Sequence, residues 1–376
     1  MHPLISLAVG LVVAWAVKRR NGPDDMGWWR LAAGAVGALV PYLEGLFWLG
    51  GAGVYYQAER GLLWSFLLLP LLSFITAGVL GSISRRGWGA FYLTVAASML
   101  STLLLGLLTT DGIQPLALLV NIRLAFGVVY DFDGVILGLC LLTLGMGYAF
   151  RFWQRDIARL GLGCIAVYLL ALAGLHFTAW RFGGQYAEAM QLAPGYNVDA
   201  LPQPLSPFNW RVVVLENVEA GGSRLHDTLI NLKHGQRTQL RGNALRAQRV
   251  QALYRTREEA EWRVYSRFGG ADGPEAVGAA GQRRIKLAWY AWSNGPFGWL
   301  AKYAVYDDPV APPVRGINVQ CLRYRDLRLD GARDADKGTY VLCPSATGGA
   351  RVFIPYMVWP FAQGYHELVP VAGVRN

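Results

Sequence analysis

The sequence predicts an α-helical integral membrane bundle of about six spans, followed by a C-terminal extramembrane domain that is α+β or mostly β. Three observations carry this reading. Of the 376 residues, 53% are hydrophobic and only 16% are charged, well off a soluble profile. The charge is unevenly placed. Residues 1–180 hold 11 Lys and Arg against 8 Asp and Glu, net +3; residues 181–376 hold 24 against 17, net +7. The first half also resolves into apolar stretches with few or no charges. A cytosolic enzyme, a disordered chain and a collagen-like fibre are excluded.

The spans follow in order. Residues 3–17 form a short apolar run, closed at once by Lys18, Arg19 and Arg20. A secretory signal has its basic cluster before the apolar run, so this segment is read as a span. Residues 31–50 qualify with one carboxylate, Glu44, inside. Stretches 62–80, 88–110 and 160–180 carry no formal charge, and each is long enough to cross roughly 30 Å of hydrocarbon as helix. Residues 134–150 make a shorter span. The loops after spans one, three and five carry Lys18, Arg19, Arg20, Arg30, Arg85, Arg86, Arg151, Arg155 and Arg159. The opposite side has Arg60, Arg123 and Arg181. The positive-inside rule then puts the first set in the cytoplasm. The expectation is a multi-pass protein of the bacterial inner membrane with its C-terminal domain on the periplasmic side.

Domain boundaries follow from texture: 1–180 as membrane domain, 181–209 as a Pro-spaced linker, 210–376 as the extramembrane domain. Trp210 to Leu215 reads as a strand. Residues 243–268 read as a helix with a solvated charged face, and 269–282, rich in Gly and Ala, as a loop. Runs 284–306 and 317–343 return to strand composition. One sheet with a packed helix is the expected arrangement.

Nucleotide-binding, nucleophile-elbow and zinc-protease motifs are absent. The histidines (His2, His176, His226, His234 and His366) lack metal-ligand spacing. His176 reads as an interfacial structural residue, and His226 with His234, eight apart, as loop and turn residues ahead of ligands. Gly134 and Gly138 fit the small-xxx-small packing pattern. Membrane lipids and other membrane-protein subunits are the expected partners; nucleic acid is not, on the outer side of a membrane. Glu44 inside a span is functional by default. With His2, Glu59, Arg60, Asp111, Gln114, Arg123, Asp131 and Asp133 it is expected on one outward-facing pocket. The alternative is that Glu44 pairs with a basic residue or faces water near the headgroups.

Motif order then becomes informative. Met1-His-Pro-Leu-Ile-Ser6, Val40-Pro-Tyr-Leu-Glu44, Glu59-Arg-Gly-Leu-Leu-Trp-Ser65, Ser101-Thr-Leu-Leu-Leu-Gly106, Thr109-Thr-Asp-Gly-Ile-Gln114 and Asp131 follow one another along the chain. This order resembles the membrane-bound metal-dependent hydrolase family, the YdjM-like proteins. Pro-Phe-Asn-Trp-Arg-Val-Val (207–213) and Asp326-Leu-Arg328 resemble its extramembrane domain. The resemblance keeps Pro3, Pro41, Arg60, Gly61, Ser65, Ser101, Thr109, Gly112 and Gln114 as framework. It replaces the ligands. Ser6 stands for a His, Tyr42 and Glu44 for paired aspartates, Glu59 and Trp64 for His, Thr102 for another His, and Gly106 for its Asp partner. Zinc wants three or four N, O or S donors. Glu44, Glu59 and Asp131 alone would hold a hard divalent cation weakly and activate water poorly. No metal or other cofactor is therefore expected.

Two function classes compete. One is a catalytically degenerate family member, a non-catalytic accessory or assembly subunit of an inner-membrane complex whose outer domain meets a partner. The other is an active metal-dependent hydrolase of a phosphoester or lipid-linked substrate, with a rearranged metal site. Loss of the His ligands favours the first. Transport is a distant third, since no internal repeat is visible.

The cysteines supply one further expectation. Cys140 and Cys164 lie in apolar spans as free thiols. Cys321 and Cys343 lie in strand-like runs about the polar turn Asp330-Gly-Ala-Arg-Asp-Ala-Asp336. An antiparallel hairpin centred on position 332 sets them opposite each other, near disulfide separation. An oxidising outer compartment would keep that bond; two unrelated buried thiols are the alternative.

Overall fold

The computed structural model describes residues 1–17, 27–50, 58–120, 122–204, 206–218, 222–233, 254–267, 302–310, 321–328, 339–344, 350–358 and 362–371, with single positions 55, 287, 289, 290, 292 and 293. The chain separates into two compact units. The first contains Met1–Leu49, Ala58–Thr178 and Leu201–Asn209; the second contains Gly50–Gln57, Ala179–Ala200 and Trp210–Asn376.

The first unit is helical: α1 Pro3–Ala16, α2 Trp28–Leu39, α3 Leu69–Ser84, α4 Gly89–Leu108, α5 Gly134–Ala149 and the start of α6 Gln154–Ala189. Apolar helices stand at all six expected places, but the lengths differ from expectation. Trp28–Gly50, Gly89–Leu108 and Arg151–Ala189 are long and apolar enough to cross a membrane; Pro3–Ala16, Leu69–Ser84 and Gly134–Ala149 are shorter. At 1.5 Å per residue, a helix of 14 residues falls short of the hydrocarbon thickness. The span expected over 62–80 starts late because 62–64 form a 3-10 turn and the α-helix takes Pro70 in its first turn, where the missing N–H is harmless.

Pro41 explains the second helix. An interior proline clashes with the carbonyl four residues back and donates no hydrogen bond. Here α2 ends at Leu39 and the chain tightens into a 3-10 segment, Val40–Gly50. In that register the Ala38 carbonyl would look to the N–H of residue 41, which is absent. Thr102 on α4 donates its hydroxyl to Ala38 O instead, at 3.2 Å. Thr102→Val is expected to cost about 1–2 kcal/mol, since it strands a buried acceptor. Thermal unfolding of the detergent-solubilised protein measures it.

Helices α1 and α2 pack closely. A Cβ on Gly10 would lie 2.6 Å from both Gly34 O and Ala38 Cβ, and one on Gly34 would lie 2.4 Å from Gly10 O. The small-xxx-small stripe is thus Gly10 with Ala14 against Gly34 with Ala38. Gly134 and Gly138, read as packing glycines, have nothing within 4 Å of a built Cβ. Their spacing matched the pattern, but no neighbour approaches.

The second unit carries two sheets where one was expected. A four-stranded sheet runs β1 Asn197–Pro202, β2 Asn209–Val218, β3 Gly222–Asn231 and β4 Arg263–Ser266 in that order. A five-stranded antiparallel meander follows: β5 Ala304–Val310, β6 Cys321–Asp326, β7 Thr339–Pro344, β8 Ala350–Val358 and β9 Ala362–Val371. The 181–209 segment, read as a linker, holds the end of α6 and all of β1. Gly183 lets α6 lie against Val198, Val212 and Val214.

The helix expected over 243–268 is corrected where it can be seen. Its first part, 243–253, lies outside the described residues, and 263–266 is strand β4, paired with β3 through Leu225↔Tyr265 and His226↔Val264. The charged stretch read as a solvated helix face instead closes a turn, with Arg255 bonded to Glu261. The expected loop 269–282 is outside the described residues. In 284–306 the expected strand is displaced: Leu287, Trp289, Tyr290, Trp292 and Ser293 are helical, and strand begins at Ala304. Trp289 and Trp292, three apart, both bury against Tyr324, at ring separations of 5.2 and 5.6 Å.

Cys321 and Cys343 are joined by a disulfide with Cα atoms 4.3 Å apart. The neighbouring register, Leu322↔Leu342 and Arg323↔Val341, sets them directly opposite on β6 and β7. Cys140 and Cys164 are free.

Candidate functional site

The framework residues build the loops before any chemistry is considered. Gln114 N–H donates to Arg60 O at 2.9 Å, and Ser65 Oγ donates to Pro115 O at 2.9 Å. Gly112 adopts φ +62°, and a Cβ there would lie 2.1 Å from Leu124 O; only glycine fits both constraints. Thr109 closes the end of α4 through its hydroxyl to Gly106 O at 2.7 Å. These contacts clamp the 58–66 and 109–131 loops together, so the motif's framework half has a purely architectural basis.

Arg60 is the hub, a role that its place among the framework residues did not announce. It sits at φ 54°, an unusual conformation for a residue with a side chain. Its guanidinium donates to Thr109 Oγ1 and to Asp131 Oδ1, both at 2.9 Å, and lies 3.4 Å from Asp111 Oδ2. The Met1 amino group also bonds Asp131. Burial acts to raise the Asp131 carboxyl, but Arg60 and the Met1 amino group outweigh it and hold it down at about 2.

This has a pH consequence. A carboxyl lowered in the fold from its usual value of ~4 contributes stability present above that value. The contribution is lost as pH falls through about 2. The Asp131 contribution is expected to stay constant from neutral pH down to about 4 and to be lost below it. Asp131→Asn should flatten that acid limb; an unchanged limb in a melting series would remove Asp131 from it.

Of the positions where the family resemblance places ligands, Ser6, Tyr42, Trp64 and Gly106 lie against one another. Tyr42 Oη donates to Met1 O at 2.8 Å and lies 2.7 Å from Ser6 Oγ. With that proton committed, Ser6 is the donor of the second bond. The Tyr42 ring meets Trp64 edge-on at 5.1 Å. Trp64 is 2% exposed and packs with Val40, Met99, Leu103 and Ile113. A Cβ on Gly106 would lie 2.5 Å from Trp64 Cζ3, so the indole lies where any larger residue at 106 would project. Thr102, one turn earlier on the same helix, is spent on Ala38.

Glu44 is buried, as its position in an apolar run suggested, and among the described residues it pairs with no cation. Its Oε1 accepts from Leu63 N–H at 2.6 Å, at the 3-10 turn Leu62–Trp64. Glu59 contributes through its carbonyl, which accepts from Arg123; Arg123 also donates to Asp111 O at 3.2 Å. Asp133 caps α5, accepting from Val135 N–H at 2.8 Å and Ile136 N–H at 3.1 Å, and takes Tyr168 Oη at 2.9 Å. His2 caps α1 through Nδ1, which accepts from Leu4 N–H at 3.3 Å. Arg60, Asp111 and Asp131 come together; Glu44, Asp133 and His2 serve backbone ends.

Residues 1–180 match the YdjM inner membrane protein family. The YdjM match ends at the end of the expected membrane half, so it covers the Arg60 hub and every ligand position named above. No curated protein and no solved structure matches the chain. At the positions where the resemblance places ligands stand an indole, hydroxyls, a hydrogen and the carboxylates of Glu44 and Glu59, and the hydroxyls are already bonded to protein. Among the described residues, no group of three or more His, Cys, Asp and Glu side chains could hold a metal ion.

His176 and His226 make structural contacts. His176 Nδ1 is 3.1 Å from Gly127 O, a structural contact. His226 lies between Tyr186 Oη at 3.0 Å and Glu216 Oε2 at 3.3 Å, with Trp262 stacked on Tyr186 at 3.7 Å. His226 is 5% exposed and lies on strand β3, which corrects the reading of its position as a loop or turn. His234 lies outside the described residues.

Proposed function

We propose that this chain is a catalytically degenerate YdjM-family membrane protein, a non-catalytic accessory or assembly subunit of an inner-membrane complex. One observation carries the reading: the Trp64 indole fills the space in front of Gly106, between ligand positions that hydrogen-bond each other. A site that activates water needs open coordination and three or more donors, and neither is supported by this packing. The proposed topology is multi-pass with residues 181–376 in the periplasm. The loop-charge asymmetry and the Cys321–Cys343 disulfide support that placement.

Metal analysis of the purified full-length protein tests the function. After dialysis, Zn and Mn are expected well below one equivalent, with no change for Glu44→Ala. Stoichiometric metal, together with a phosphoesterase activity lost in Glu44→Ala, would establish the hydrolase reading instead. Reporter fusions at the C-terminus test the topology: an alkaline phosphatase fusion is expected active and a green fluorescent protein fusion dark.

A further inference from the structure

Among the described residues of the helical unit, the elbow between α5 and α6 is the most exposed aromatic segment. Phe152 is 101% exposed, Tyr148 69%, Trp153 63% and Phe150 57%. The 3-10 turn Arg151–Trp153 holds the rings outward between two helices, and the Arg151 guanidinium lies 5.3 Å above the Tyr148 ring. Arg155 Nε is buried with no hydrogen-bond partner among the described residues.

The turn between α3 and α4 lies at the same end of the bundle. Helix α4 ends at Thr109, which bridges to Val129 just before α5 begins. Its start, beside Arg85, Arg86 and the 51%-exposed Trp88, therefore lies at the end where α5 finishes. Arg159 ties that end to α1 by donating to Ala16 O at 3.2 Å. Residues 81–89 and 148–159 together carry five arginines and one acidic residue, Asp156.

We propose that these two turns form a headgroup-level site for anionic phospholipid. Indole and phenol rings with exposed apolar bodies are suited to the membrane interface, where one end is apolar and the other wet. Guanidinium groups add a planar fork that matches phosphate oxygens. The five-to-one charge excess selects an anionic headgroup over a zwitterionic one, and the location, where apolar helices end, sets the depth. The inference rests on residues 1–180 lying in a bilayer. It is independent of whether the YdjM ligand positions bind metal and of which leaflet the face meets.

The test uses full-length protein in nanodiscs containing phosphatidylglycerol or phosphatidylcholine. Native mass spectrometry of released complexes should show phosphatidylglycerol retained over phosphatidylcholine by roughly tenfold, falling with salt. Arg151→Gln/Arg155→Gln should bring the two lipids near parity, while Arg151→Lys/Arg155→Lys, which keeps the charge, retains most of the preference. Brominated phosphatidylglycerol should quench wild-type fluorescence more than that of Trp153→Phe. Equal retention of both lipids by the wild type would overturn the proposal. So would an unchanged preference in the folded Gln double variant, or a Trp153 signal indifferent to brominated lipid, the result expected if a protein partner covers the elbow.

Discussion

Replacing Trp64 by alanine is expected to destabilise the helical unit by about 3–5 kcal/mol, among the largest effects of any single change in that half. The indole is 2% exposed and touches both α4 and the 3-10 segment after α2. Lipid tails are as apolar as the core, so the hydrophobic transfer term is small in a bilayer. The loss then comes from dispersion contacts forfeited around an unfilled cavity. The partner change sharpens the test. Gly106→Ala places a Cβ 2.5 Å from Trp64 Cζ3, an overlap costing about 1–3 kcal/mol. In a Trp64→Ala background that cost should largely disappear, leaving only the 3.0 Å approach to Ile113. Denaturant unfolding in detergent of the four proteins gives the coupling energy directly. Additive effects would mean that Trp64 and Gly106 do not pack as a pair, and the filled-site reading would lose its main support.

Much of the helical unit was legible because uncharged runs in a membrane protein admit few other interpretations. Helix ends were less so. Pro41 announces a break, but not that Thr102 answers it. The small-xxx-small stripe was misplaced because a chain with 45 glycines offers many spacings, and only the partner surface decides which one packs. At the site, motif order pointed to Ser6, Tyr42, Trp64 and Gly106, which lie against one another. It could not reveal that Ser6 and Tyr42 bond each other, since a resemblance tells what is missing and not what fills the gap. Arg60 was visible as a framework residue but not as the cation shared by Asp111 and Asp131, which come from a different loop. In the second unit the charged stretch from Arg255 to Glu261 reads as a solvated helix face, but its two ends meet across a turn. Pairing of β4 with β3, a contact remote in sequence, settled it.

Removing the disulfide is expected to have the largest effect in the second unit. Cys321 and Cys343 are 0% and 1% exposed and sit in one cluster with Val341 and Phe353. Their Cα separation of 4.3 Å matches the narrow, non-hydrogen-bonded position of an antiparallel ladder, where side chains come closest. The bond closes a loop across a sequence separation of 22. In the chain-entropy model this stabilises the fold by about 3 kcal/mol, by restricting the unfolded chain. A Cys321→Ser/Cys343→Ser double variant loses that term and also buries two hydroxyls, so its loss should reach or exceed the same figure. Cys321→Ala/Cys343→Ala separates the two contributions, because it adds no polar group. Comparing melting points of the three proteins, with and without reductant, measures both. Intact mass should rise by two hydrogens on reduction of denatured wild-type protein and stay unchanged in the variants. Thiols at both positions that alkylate without reductant, in protein taken directly from the membrane, would show the bond absent in the cell. That result would also remove the disulfide as support for a periplasmic second unit, because an oxidising compartment is what lets such a bond persist.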